Sequence, residues 1–231
     1  MTEPKPNYSE GNSRFNDEAK MWDSKPEVVK SSQYCLASLL ESASRYVPQG
    51  LSSCAVLEIG CGTGLLTVPL AQHVKSILAL DTALGMIEML KAKVEKQGLV
   101  ERVRAEVKLL EDPKDTVLAA EKFDLVVSHL VMHHVPNMLD LLKVMHGTLK
   151  QNGRVWISDF EDDGPRAQAF HPKDKHAGVE RHGLKRTEMK SILKDAGFSD
   201  VQVFTSFSIE KEVDDGSLQT FPFLAVTGIK S

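Results

Sequence analysis

Gly60, Gly62 and Gly64, in the stretch VLEIGCGTG, crowd one turn at the end of an apolar run. A turn so poor in side chains lets backbone N–H groups approach a ligand closely. The spacing is G-x-G-x-G, whereas a dinucleotide fingerprint places its third glycine one residue later, where Leu65 stands. Glu58 sits in the run just before the turn; its carboxylate would repel a pyrophosphate at close range and attract an ammonium or sulfonium. Asp81 closes the next apolar run, SILALD, about twenty residues on, where doubly wound folds keep the carboxylate that accepts ribose hydroxyls. Asp112, in LLEDP, follows a third run and is placed to reach an adenine amino group. Acids at strand ends also cap helices or stand in solvent. The glycine turn and the acids together point to a cationic nucleoside.

A second group of residues could move protons. His133 and His134 follow the apolar run FDLVVSHL and are candidates for a general base, with pocket packing as their other use. The long polar stretch DFEDDGPRAQAFHPKDKHAGVERHGL carries His171, His176 and His182. Loops at the carboxyl ends of strands often hold binding residues, and a plain solvated loop is the competing reading. His182 joins His133 and His134 as the catalytic candidates. Asp159, Asp162 and Asp163 stand near these histidines, yet no spacing of the H-E-x-x-H kind sets a geometry, and no metal is expected. Arg14, Phe15, Met21 and Trp22 lie on a polar N-terminal arm, where aromatics either pack back or cover a ligand.

The elements that must hold these residues alternate. Residues 1–24 read as a loose arm that could act as a lid, and residues 25–231 as a single domain. A helix is expected from Lys25 to Val47, with Ser24 as N-cap, Pro26 in its first turn and Glu27 at the capping-box position. Then CAVLEI, SILALD, VRAEVKLL, FDLVVSHL and RVWISDF read as strands. LLTVPLAQHV, LGMIEMLKAKVEKQG, a short piece within Pro113–Glu121 and NMLDLLKVMHGTLK read as the helices between them, with a turn at Asn152-Gly153. Strands apolar throughout argue for a parallel sheet covered on both faces. The helix RTEMKSILKDAGF and two strand-like runs joined at Asp215-Gly216 end the chain as an antiparallel hairpin.

Composition narrows the function classes. With 231 residues and 42% hydrophobic content, the chain suits one domain with a full core. A net charge of -4 and no basic stripe argue against nucleic acid as a partner. No apolar run is long enough to span a bilayer, and the polar opening lacks a secretory h-region, so no membrane association and a cytoplasmic location are expected. Cys35, Cys54 and Cys61 cannot all pair and read as reduced thiols, the latter two as small core residues.

From Leu51 to Phe160 the chain resembles the class I S-adenosylmethionine-dependent methyltransferases. VLEIGCGTG resembles that family's first motif, LALDTALGMI its second, and FDLVVSHLVMHHV its fourth strand and following turn. The resemblance implies an α/β fold: a Rossmann-like, doubly wound seven-stranded sheet, parallel with an antiparallel last strand in a C-terminal hairpin. It implies S-adenosylmethionine as cofactor. Glu58, Gly60, Cys61, Gly62, Thr63 and Gly64 would lie along the methionyl moiety, and Asp81 on the ribose with Thr82 and Met86 beyond it. Leu110, Glu111 and Asp112 would lie by the adenine, and Ser128 and His129 near the sulfonium. Within the family the chain looks most like small-molecule methyltransferases of the ubiquinone-biosynthesis type, in which the N-terminal arm closes over the cofactor. Several acceptors are discounted: no N/D-P-P-Y/F follows the fourth strand, no cysteine follows a proline, and the paired glutamates of arginine methyltransferases are missing. A small-molecule acceptor methylated by in-line displacement is the expectation. The alternatives are a catalytically silent cofactor-binding relative and a nicotinamide-dependent oxidoreductase, the second opposed by Glu58 and the glycine spacing.

Overall fold

The computed structural model describes residues 9–47, 49–172 and 178–231. Its strands are β1 (Ala55–Ile59), β2 (Ser76–Asp81), β3 (Val103–Val107), β4 (Phe123–His129), β5 (Leu149–Phe160), β6 (Phe198–Glu212) and β7 (Leu218–Lys230). They form one sheet in the order β3-β2-β1-β4-β5-β7-β6. β1 to β5 pair in parallel, and β7 runs antiparallel to both β5 and β6. This is the doubly wound sheet with a reversed last strand that the sequence implies. Its ligand-binding edge is the carboxyl end of β1, where the strand order reverses direction.

The helices are α1 (Ser9–Glu18), α2 (Pro26–Tyr46), α3 (Thr67–Leu70), α4 (Leu84–Lys96), α5 (Met138–Thr148) and α6 (Arg186–Asp195). Side chains alternate across β1. Leu57 and Ile59 pack with Leu142 of α5 and Met189 and Leu193 of α6, while Val56 packs with Leu39 of α2 and Leu90 of α4. Both faces are therefore buried, which is why the central strands are apolar throughout. Each fully buried aliphatic side chain contributes about 1.5–3 kcal/mol by leaving water. Glu58 projects from the middle of this apolar strand and is 2% exposed. A carboxylate placed there at the expense of packing is a first sign of function.

Five local expectations are corrected. From Ser9 onward the N-terminal arm is not loose: α1 and a 3-10 turn over Ala19–Ser24 pack Phe15, Ala19 and Trp22 against Ala83 and Met86. Ser24 does not cap α2; its hydroxyl donates to Met21 O at 2.6 Å, and extended Lys25 precedes the helix. The long helix expected over LLTVPLAQHV shrinks to α3, because Pro69 cannot donate and only turns follow. The helix expected within Pro113–Glu121 is a 3-10 turn at Thr116–Leu118, closed by left-handed Ala119 and Ala120. Asn152 and Gly153 lie inside β5, where Asn152 has φ +62° and the register with β4 shifts.

Candidate active site

A cavity of about 1220 Å3 opens at the carboxyl ends of β1, β2 and β4. Its floor is the glycine turn. Gly60 and Gly62 have φ of +74° and +53°, a region that disfavours side chains, and a Cβ on Gly60 would stand 2.2 Å from Val131 Cγ2. Gly60 N and Cys61 N donate to Leu80 O at 2.8 and 3.0 Å, which ties the turn to the end of β2. Gly62 N donates to Asp81 Oδ2 at 2.8 Å, and Ala83 N donates to Asp81 Oδ1 at 2.9 Å. Each carboxylate oxygen keeps a further lone pair for a ligand hydroxyl. Burial pushes the Asp81 carboxyl above its usual range, and the Ala83 and Gly62 amides oppose that rise.

Glu58 is the least comfortable group in the floor. It lines the cavity, its Oε2 is buried, and that atom has no hydrogen-bond partner. Burial raises the Glu58 carboxyl to about 8 against the opposing pull of the Thr67 hydroxyl on the group, with the charge of Asp81 adding to the rise. An orphaned carboxylate oxygen facing a cavity is a site for a cationic or N–H-donating ligand.

Most of the residues expected to hold the cofactor meet here. Glu58, Gly60, Cys61, Gly62 and Thr63 line the cavity, as do Asp81, Thr82 and Met86. Leu110, Glu111 and His129 line it as well. Gly64, Asp112 and Ser128 do not. Gly64 lets α4 approach, since a Cβ would meet Leu90 Cδ1 at 2.4 Å. Asp112 turns back to accept from Lys114 N at 2.8 Å, and Ser128 Oγ donates to Ile59 O at 3.1 Å, strapping β4 to β1.

The opposite wall comes from the N-terminal segment. Phe15 and Trp22 line the cavity, with their rings edge to face at 5.6 Å. Polar bonds seat this wall on the floor. Thr63 Oγ1 donates to Asp23 Oδ1 at 2.5 Å, Thr82 Oγ1 to Asn12 Oδ1 at 2.6 Å, and Gly85 N to Asn16 Oδ1 at 2.7 Å. Asp23 also pairs with Lys93, whose ammonium donates to Thr63 O at 2.7 Å.

The histidines form a separate corner. His133 and His134 sit on a 3-10 turn after β4, Met132–His134, with ring centroids 3.9 Å apart. His133 is 2% exposed; its Nδ1–H donates to the Asp159 carboxylate at 2.8 and 2.9 Å, and its backbone N–H to Asp159 Oδ2 at 3.2 Å. His134 lines the cavity, donates from Nδ1 to Gly178 O at 2.6 Å, and carries the edge of Phe15 at 5.4 Å. Burial pushes both rings down to about 3, so both are neutral at pH 7. His182 lies outside the cavity lining, and His176 lies outside the described residues. His171 packs on His133 at 5.0 Å.

Two contributors escaped the sequence reading. Arg181 lines the cavity and donates to the carbonyls of Met132, Val135 and Pro136 at 2.5–3.1 Å, clamping the turn that bears the histidines. Asp159, read only as a candidate metal ligand, is the orienting partner of His133. The signal for Arg181 was its place in the polar loop, where only the histidines drew attention.

A seven-stranded sheet with a reversed β7, a glycine turn after β1 and an acid closing β2 define the class I methyltransferase fold. Comparison with known proteins agrees: residues 57–157 match the family described as a methyltransferase domain. The chain is 27% identical over 175 residues to an uncharacterized methyltransferase of Schizosaccharomyces pombe, covering 73% of this chain and 61% of that protein. It is 31% identical over 120 residues to a ubiquinone biosynthesis O-methyltransferase of Histophilus somni, covering 49% of each. The chain thus spans less than two thirds of either curated relative. Among solved structures, the N-methyltransferase NodS of Bradyrhizobium japonicum, in complex with S-adenosyl-L-homocysteine, superposes with a TM-score of 0.65. That match covers 97% of this chain and 99% of NodS at 17% identity, and speaks to the fold.

Proposed function

We propose that the protein transfers a methyl group from S-adenosylmethionine to a small-molecule acceptor. The observation that carries this reading is the buried, unpartnered Glu58 Oε2 on the floor of the cavity. A ligand with an ammonium and a sulfonium favours the ionised form of that carboxyl, and a dinucleotide pyrophosphate opposes it. Glu58 and the glycine turn, whose bare backbone allows close approach, would hold the methionyl part, Asp81 the ribose, and Met86 and Leu110 the adenine. When bound, the cofactor supplies an electrophilic methyl with a neutral thioether as leaving group. The chain's own part is to align the acceptor and exclude water, which the Phe15 and Trp22 wall is placed to do.

His134 is the catalytic candidate that reaches the cavity. A ring neutral down to about pH 3 is a weak proton acceptor, so in this reading it shapes the acceptor pocket rather than deprotonating the substrate. The three cysteines are buried and unbridged, in keeping with a reducing, cytoplasmic setting. Among the described residues, no helix is long and apolar enough to cross a membrane.

Calorimetry with S-adenosylmethionine, S-adenosylhomocysteine and NADH tests the reading directly. Binding of the first two and silence with NADH are expected; the reverse pattern overturns it. A screen of small phenols, thiols, amines and carboxylic acids with methyl-labelled donor then finds the acceptor. Firm binding with no turnover across that screen would identify a cofactor-binding relative without activity.

A further inference from the structure

We propose that His133, His134 and His171 form a binding site for one divalent metal ion of the zinc class. The three residues each offer a ligand atom, and these atoms lie within 4.8 Å of one another. They come from two distant segments, the turn Met132–His134 and the end of the turn Pro165–Phe170, so no sequence spacing announces them.

The orientations of His133 and His134 fit ligation. His133 gives its Nδ1–H to Asp159 and leaves Nε2 buried without a hydrogen-bond partner. His134 gives its Nδ1–H to Gly178 O, which leaves the lone pair on Nε2. A carboxylate or a carbonyl behind a histidine is the usual device that sets the tautomer of a metal ligand and raises its basicity. Of the cations whose charge reaches these rings, Arg181 is spent on the carbonyls of Met132, Val135 and Pro136, Lys211 donates to Phe170 O at 2.6 Å, and Arg14 lies over the Phe15 ring. Aromatic packing holds the rings in place: Phe160 lies 5.0 Å from His133 and stacks on Phe170 at 4.0 Å.

Ligand nitrogens around tetrahedral zinc stand about 3.4 Å apart, given Zn–N bonds of about 2.0–2.1 Å, so no pair has to close by more than about 1.4 Å on loading. Three imidazoles leave a fourth position, as in sites that take water or a substrate heteroatom. His134 is on the cavity wall, so that position adjoins the cavity and suits a water oxygen, a phenolate or a thiolate. The inference stands apart from methyl transfer, because metal binding is measured without any donor present.

The experiment uses the full chain, stripped with a chelator and dialysed, then titrated with Zn2+ alone against a chromophoric competitor and with Co2+ alone. One equivalent of zinc per chain is expected, together with the visible absorption of four-coordinate cobalt. His134→Ala and His171→Ala should each weaken zinc binding at least a hundredfold, and Asp159→Asn by about 10–100-fold. His73→Ala removes an exposed histidine elsewhere and should leave the affinity unchanged. Circular dichroism checks the fold of each variant. Should Asp159→Asn fail to fold, His134→Ala at the cavity wall still decides. Less than a fifth of an equivalent in the wild type, or wild-type affinity in both His134→Ala and His171→Ala, overturns the proposal.

Discussion

The two ends of the cavity are built differently. The floor consists of the end of β1, the glycine turn and the end of β2, stitched by backbone bonds from Gly60 and Cys61 to Leu80 and from Gly62 to Asp81. Its shape follows from main-chain geometry. The histidine corner is assembled by side chains from three segments: the turn after β4, Asp159 on β5, and the stretch beyond Phe170. Nothing repeats there, and its order rests on aromatic packing. A backbone-built floor tolerates sequence change around it and serves a constant ligand. A side-chain-built corner can be remodelled one residue at a time, which under the proposed function suits the acceptor end.

If this contrast holds, damage to one end should spare the other. The largest effect is expected from Phe160→Ala. Phe160 is fully buried, stacks on Phe170 and abuts His133, so its loss leaves a cavity costing about 3–5 kcal/mol of stability. Urea denaturation reads that loss, while affinity for S-adenosylmethionine should stay within about threefold. A parallel collapse of cofactor binding would mean that the two ends are mechanically one.

Asp81→Ala makes the opposite cut. Removing two charge-assisted bonds to a ribose should weaken cofactor binding by about 2–4 kcal/mol, or roughly 30- to 1000-fold. The Gly62 and Ala83 amides also lose their acceptor, at a cost of about 1 kcal/mol in stability. An unchanged dissociation constant would remove Asp81 from the binding floor.

The same contrast explains what the chain discloses before it is folded. All seven strands are legible: the central ones because a strand covered on both faces must be apolar along its length, as FDLVVSHL and SILALD are, and the half-exposed β3 and β6 because apolar and polar residues intersperse along them. The floor is legible too: Glu58, the glycines and Asp81 lie within one strand–turn–helix–strand unit of short range. The errors fall where local pattern loses to tertiary contact. Asp112 sits at the right strand end but satisfies its own loop, and Ser24 looks like a cap while serving the preceding turn. Residues 9–24 read as a loose arm because the apolar face that orders them, at Ala83 and Met86, is some sixty residues away. The histidine corner is the least legible part. His133 and His134 are adjacent, but their partners Asp159, His171 and Gly178 are joined to them only by the crossover through α5 and β5.

A smaller effect separates Glu58 from every other acid in the cavity. Burial raises its folded-state carboxyl to about 8, against an ordinary value of 4.5. The unfolded chain therefore ionises first. The contribution of Glu58 to stability is fully present below about pH 4.5 and is lost as the pH rises through about 8. Between pH 6 and pH 8 the wild type should lose about 2 kcal/mol more than Glu58→Gln, which cannot ionise. Denaturation curves of the two proteins at both pH values measure the difference. Because a cationic ligand favours the carboxylate, affinity for S-adenosylmethionine should tighten over the same interval in the wild type and stay flat in Glu58→Gln. Identical pH profiles in the two proteins would mean that the carboxylate does not meet the ligand.

The smallest expected effect concerns the seam between the floor and its covering wall. Asp23 accepts from Thr63 Oγ1 and pairs with Lys93, while Lys93 also holds Thr63 O. With side chains 35% and 22% exposed, Asp23 and Lys93 are partly screened by solvent, so the pair contributes about 0.5–1 kcal/mol. Asp23→Ala should barely move the denaturation midpoint. If the wall opens and closes over the floor, its effect falls on the off-rate of S-adenosylmethionine, which should rise about fivefold by stopped-flow fluorescence of Trp22, while the on-rate holds. Raising the salt concentration should shift the wild type towards the variant, since the seam is electrostatic and partly exposed. An off-rate insensitive both to the substitution and to salt would make residues 9–24 a fixed part of the floor, and the distinction between floor and cover would have to be abandoned.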